Sequence, residues 1–180
     1  MVPWLALAGI GVATDNLRLG TIAGIPVGSR GGEQWLGTAV LALMIQLQGF
    51  ILGWLLGRIM NGWFGNAAHW VAIGFLLCTG IRMLFETTPR GQQPGKLHLT
   101  TQTFLDATLG TAIYTFVYGQ SAIMLHATLS RSFEVVGTAT ALCILGGMYL
   151  ARRSHAVRIV RLWGGVAVCV SAIFLFAREL

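Results

Sequence analysis

The chain has 180 residues, of which 55% are hydrophobic and 10% charged, with a mean hydropathy of +0.72 and a formal net charge of +6. Soluble domains carry about 25% charged residues, so a soluble globular protein is excluded, and the long continuous apolar runs exclude a membrane β-barrel, whose strands alternate. The basic residues lie mainly between apolar runs, so membrane topology explains the positive balance without nucleic acid, and the fold class expected is an all-α integral membrane protein.

A helix of about 20 apolar residues crosses about 30 Å of hydrocarbon. On that measure the runs predict six transmembrane helices near residues 3–24, 36–58, 69–86, 101–125, 135–151 and 160–177. The opening Met1-Val-Pro-Trp-Leu5 lacks the positive region of a signal peptide, and no small-residue cleavage site follows, so the first segment is expected to remain as a helix. It carries Asp15 and Arg18 within Gly11-Val-Ala-Thr-Asp-Asn-Leu-Arg-Leu-Gly20. Either charge at the centre of a membrane helix costs about 2.5–3.5 kcal/mol, which directs it toward a bundle interior and toward function. Three residues apart, the two side chains can pair with each other. Alternatively Asp15 supplies a hard oxygen ligand or a proton-relay carboxylate, with Arg18 tuning it or holding an anion.

Gln46 and Gln48 follow in the second segment, on different helix faces, and a buried glutamine serves there as an interhelical link or as a ligand. The fourth segment is the most polar. Thr108, Thr111, Thr115 and Tyr118 recur at helical spacing beside Tyr114 and Ser121, a stripe that must face protein or water rather than lipid. Asp106, near the end expected on the cytoplasmic side, suits a mouth or a cap. Glycine pairs such as Gly146-Gly147 and Gly164-Gly165 permit close helix approach. Cys78, Cys143 and Cys169 stand alone inside apolar segments as packing residues, and His69, His98, His126 and His155 fall near helix ends. No nucleophile constellation and no phosphate-binding glycine loop exists, so an enzyme is excluded.

The longest polar connection, Thr87-Thr-Pro-Arg-Gly-Gln-Gln-Pro-Gly-Lys96, divides the chain into residues 1–86, a cytoplasmic linker 87–100, and residues 101–180. Arg30, Arg90, Lys96, Arg152, Arg153, Arg158 and Arg161 belong to the first, third and fifth loops, with Arg82 near the same side; Arg58, Arg131 and Arg178 are opposite. The positive-inside rule then puts the odd loops in the cytoplasm and both termini outside. Three helices per half give the halves opposite orientations, and Ile51-Leu-Gly-Trp-Leu-Leu-Gly-Arg58 resembles Ile144-Leu-Gly-Gly-Met-Tyr-Leu-Ala-Arg-Arg153. Two inverted three-helix repeats are therefore expected, an arrangement typical of secondary transporters.

The third segment, His69-Trp-Val-Ala-Ile-Gly-Phe-Leu-Leu-Cys-Thr-Gly-Ile-Arg-Met-Leu-Phe-Glu86, resembles the HWIAF…GG[KR]MI.E signature of the small bacterial manganese efflux pumps, the MntP family of the LysE exporter superfamily. In the same register Asp15 falls at the family's MDAF aspartate, Gln46 at its second-helix glutamine or glutamate, and Leu52-Gly-Trp54 at its LxGW turn. The family's second aspartate, in TS[IL]DAxAVG, aligns with Tyr114 when counted back from Arg152, with Gly119 in step; a gap would assign Asp106 from Phe104-Leu-Asp-Ala107 instead. Trp163-Gly-Gly165 resembles the last helix. Asn16, Leu17 and Arg18 replace small residues, Phe50 a proline, and Ala68 an aspartate.

The resemblance implies a multi-pass protein of the bacterial cytoplasmic (inner) membrane. It would export Mn²⁺ by secondary, proton-coupled transport through a path between the first and fourth helices. Asp15 would be the principal metal ligand, with Gln46 and Thr115 as neutral oxygens, Tyr114 partly replacing the lost carboxylate, and no tightly bound cofactor. Loss of one carboxylate and gain of Arg18 would bring the cavity from about −2 to about 0 in formal charge, poorly suited to a divalent cation. Two alternatives follow: a non-transporting subunit or scaffold that keeps the exporter fold, and an exporter of a small amino-acid-like solute. The partner expected is the lipid bilayer, a homodimer or larger membrane complex is left open, and no nucleic acid is involved.

Overall fold

Pro3, whose missing N–H matters little at the first helical position, opens helix α1 (Pro3–Ala13) in the computed structural model of the chain. The structure describes residues 3–24, 33–87, 101–150 and 154–179, and no strand occurs among them. After α1 come α2 (Asn16–Gly24), α3 (Glu33–Phe64), α4 (Ala68–Thr87), α5 (Thr101–Met124), α6 (Leu129–Tyr149) and α7 (Ser154–Glu179). The 87–100 linker lies outside the described residues apart from Thr87, which closes α4, and so do Arg30, Arg90, Lys96, His98, Arg152 and Arg153.

The first segment, expected as one helix over 3–24, is broken at Thr14 and Asp15. Around the break the backbone bonds shorten their span: Asp15 N–H donates to Val12, Leu17 N–H to Thr14 and Arg18 N–H to Asp15, at 3.3, 3.1 and 3.1 Å. This is 3₁₀-type bonding. Leu17 thereby gives up the bond that a continuous helix would make to Ala13. The cause is local, since the Thr14 hydroxyl donates to the Gly11 carbonyl at 2.7 Å, and Thr, Asp and Asn side chains compete with the helical ladder.

Helix α3 has 32 residues and so a length of about 48 Å. It turns into α4 through a 3₁₀ turn at Gly65–Ala67, where Gly65 takes a φ of 50°. His126, with φ 56°, ends α5 and lets α6 begin three residues later. Helices α6 and α7 start earlier than the expected 135 and 160. Polar first turns hide such starts from a hydropathy reading, and Arg161, assigned by sequence to the fifth loop, stands inside α7.

Among the described residues three stretches are long and apolar enough to cross a membrane: Leu36–Thr87, Leu129–Tyr149 and Ala156–Arg178. The surface is apolar where a soluble protein's would be polar, with Leu36, Met44, Leu52, Ile59 and Leu109 exposed while Asp15, Asn16, Gln46, Thr108, Thr115 and Arg161 are buried. Lipid as the solvent produces that inversion. The protein is a multi-pass helical membrane protein.

Helix α3 packs along α5, α2 along α6, α4 along α7, and α1 against α7 and α6. Glycine sets the closest approaches. At the α3–α5 crossing a side chain on Gly53 would strike the Phe116 carbonyl and one on Gly119 the Phe50 carbonyl. At the α2–α6 crossing Gly147 meets the Leu17 carbonyl and Gly20 the Ile144 carbonyl in the same way. Each glycine follows by three residues the carbonyl that its own helix presents, so the two crossings have one design. Near one end of the bundle Trp4 stacks on Phe174 with ring centroids 4.0 Å apart, and Trp70 meets Phe176 edge-on.

Candidate functional site

The break in the first segment carries Asp15 into the interior, 3% exposed. Its partner is Arg161 of α7, 146 residues away: Nε donates to Oδ1 at 2.7 Å and Nη2 contacts the same oxygen. Both side chains are buried. The spacing-based partner, Arg18, is exposed instead, and the reason is helical geometry disturbed by the break. Arg161 shares a face of α7 with Gly164 and Val168, the residues that let α1 approach at Gly11 and Thr14. That close approach sets Arg161 against the turn that holds Asp15.

A second acid–base pair lies nearby. Arg82 Nε donates to Glu86 Oε1 at 3.0 Å along α4, and its guanidinium carbon sits 5.5 Å from the centre of the Tyr114 ring on α5. Tyr114 is within electrostatic reach of Asp15, Glu86 and Arg82, so the α1–α2 break, α4 and α5 converge. A pocket of about 490 Å³ opens beside this pair, lined by Cys78, Ile81, Arg82, Phe85 and Glu86. Asp15 and Glu86 supply two negative charges and Arg161 and Arg82 two positive ones, with the exposed Arg18 also within electrostatic reach of Asp15, so the cluster carries no net negative charge. Among the described residues no group of three or more His, Cys, Asp or Glu gathers to hold a metal ion, and a cation here would meet at most those two carboxylates. One turn before Arg161, Arg158 Nε donates to the Thr87 carbonyl at 3.0 Å and ties α7 to the end of α4.

Gln46 braces α3 to α5. Its amide nitrogen donates to Thr111 Oγ1 at 2.6 Å and to the Thr108 carbonyl at 3.2 Å, and its amide oxygen accepts from Thr115 at 2.6 Å. Gln48 is exposed. The threonine stripe thus faces protein, and Tyr118 donates to the Leu5 carbonyl at 3.0 Å. Among the described residues, the side-chain polar atoms of Asn16, Ser132 and Thr140 and the Tyr114 hydroxyl are buried with no hydrogen-bond partner.

Of the residues expected from sequence, the fold buries Asp15, Gln46, Tyr114 and Thr115 and exposes Arg18 and Asp106. Arg161 was missed as a site residue because its charge placed it in a loop. The signal available was its spacing of three and seven residues from Gly164 and Val168. Glu86 appeared only as part of the third-segment signature.

The sequence model of a family described as "Putative manganese efflux pump" matches residues 31–176. The chain belongs to this family, MntP. A relative of that name from Geobacter sp. (strain M21) is 27% identical over 178 residues, covering 93% of this chain and 92% of its own length. One from Xylella fastidiosa (strain 9a5c) is 28% identical over 155 residues, covering 82% and 80%. One from Saccharophagus degradans is 27% identical over 104 residues, and the match spans 58% of each chain, less than two thirds of that relative's length. No solved structure matches. MntP members are described as pumps, not as enzymes, and the low identities make this chain a divergent member.

Proposed function

We propose that this chain is a divergent exporter of divalent cations, moving Mn²⁺ out of the cytoplasm across the bacterial inner membrane between its first and fourth spans, the broken α1–α2 and α5. The observation that carries the reading is Asp15, a buried carboxylate at a helix break. Discontinuous membrane helices free backbone groups for ions and are common at transporter sites. Tyr114, within electrostatic reach of Asp15 on α5, supports the path's second wall.

The packing pattern supports six spans arranged as two inverted three-helix repeats, residues 1–86 and 101–180, joined by the 87–100 linker. Exchanging the halves maps the α3–α5 crossing onto α6–α2, Gly53 onto Gly147 and Gly119 onto Gly20. The same mapping sets Tyr114 opposite Asp15, since each precedes its glycine by five residues, and favours Tyr114 over Asp106 for the second position. The arginine-rich odd loops favour a cytoplasmic side for the linker and outside termini.

The Asp15–Arg161 pair favours a second reading, a membrane subunit that keeps the fold without moving metal, because a carboxylate already neutralised binds a cation weakly. The test is Mn²⁺ efflux from loaded vesicles and growth of a manganese-sensitive bacterium lacking its own exporter. The wild-type chain should export and protect, and Asp15→Asn should abolish both. Normal insertion without protection favours the subunit reading.

A further inference from the structure

A carboxylate that awaits a diffusing cation in hydrocarbon needs a counter-charge while it waits. Asp15 has one on a tether. We propose that Arg161 is a built-in surrogate cation: it occupies Asp15 between transport events, an incoming divalent cation displaces it, and it thereby sets the affinity and selectivity of the site. This rests on the export reading above.

The contact has the character of an exchangeable one. Two of the three guanidinium nitrogens, Nε and Nη2, address the single oxygen Oδ1, short of the parallel fork onto two oxygens that makes the firmest arginine–carboxylate pairs. Asp15 is fixed by the short-span backbone bonds of the break, whereas Arg161 reaches it through a long side chain with many rotamers. A displaced Arg161 also has a destination. Arg158, one turn earlier on α7, donates to the Thr87 carbonyl at the end of α4. The C-terminal end of a helix attracts cations through its dipole, so the end of α4 lies at the level toward which Arg161 would withdraw.

Charge decides which ligand can force the exchange. At equal distance a divalent ion attracts Asp15 about twice as strongly as a guanidinium does, because Coulomb energy scales with charge. A monovalent ion has no such advantage and meets an occupied site. Arg161 therefore acts as a filter against monovalent cations. Glu86 repeats the arrangement in a more exposed setting, held by Arg82 with side chains 36% and 57% exposed.

Occupancy by Arg161 weakens apparent affinity in proportion to the time the site is closed, about 100-fold for a site open 1% of the time. Mn²⁺ binding to the purified chain, read from the electron paramagnetic resonance of free Mn²⁺, tests this on wild type, Arg161→Gln and the double variant Asp15→Asn/Arg161→Gln. We expect Arg161→Gln to bind at least tenfold tighter and the double variant to lose the gain. Unchanged or weaker binding in Arg161→Gln overturns the proposal. Because that variant strands Asp15 and can misfold, the wild type supplies an independent measurement: saturating Mn²⁺ should speed phenylglyoxal modification of Arg161, located by mass spectrometry. No acceleration also overturns it.

The outcomes separate this inference from the export reading. Efflux by the native chain with unchanged affinity in Arg161→Gln removes the surrogate cation and leaves the pump. Tight binding gained in Arg161→Gln, by a chain whose native form moves no manganese, removes the pump and leaves Arg161 as the residue that closes the site.

Discussion

Replacing Gln46 with leucine should loosen the α3–α5 pair by about 1–3 kcal/mol. The amide makes two short bonds, to Thr111 and from Thr115 at 2.6 Å each, and a longer one to the Thr108 carbonyl at 3.2 Å. Thr111 keeps its own bond to the Thr108 carbonyl at 3.0 Å after the change, so the stranded group is the Thr115 hydroxyl. Interhelical side-chain bonds in membranes average about 0.6 kcal/mol and reach about 1.7; two of them give about 1–3 kcal/mol, the stranded Thr115 hydroxyl placing the loss toward the upper end. The assay is reversible unfolding in mixed micelles by sodium dodecyl sulfate, run as a double-mutant cycle with Thr115→Val. A coupling of about 0.6–1.7 kcal/mol is expected. Additive single costs would refute the brace, and the burial of Gln46 would then need another cause.

Asp15→Asn should destabilise the chain by about 3–5 kcal/mol because Arg161 stays buried without its partner, and Asp15→Asn/Arg161→Gln should recover most of the loss in the same unfolding assay. Arg18→Gln should stay within about 0.5 kcal/mol of wild type, as expected of an exposed residue; a large cost would return the Asp15 partnership to Arg18. Gly119→Ala should cost about 1–3 kcal/mol, since its methyl group meets the Phe50 carbonyl. Gly110→Ala, in the same helix with nothing within 4 Å of the added carbon, should be neutral or gain up to about 1 kcal/mol. Thr140→Val removes a buried hydroxyl that has no partner among the described residues and should be neutral or stabilising by up to about 1 kcal/mol; a clear loss would mean that the hydroxyl is bonded.

Composition and periodicity determined the solvent and the helices. A chain with 10% charge and long apolar runs can satisfy its backbone in lipid only through helices, and the spacing of Thr108, Thr111 and Thr115 marked the face of α5 that α3 covers. Both are local properties, legible without neighbours. The resemblance in the third segment led to the family, and its register led to Asp15, Gln46 and Tyr114. Only the tertiary structure decided which arginine meets Asp15. Hydropathy treats a charge as an interruption, so Arg161 read as loop; the glycine contacts of Gly11 and Gly164 instead draw α7 against the break and bury the guanidinium. Arg18, three residues from Asp15, is turned outward by the same break. A pairing between residues 146 apart depends on how helices cross, and no spacing along one helix encodes that.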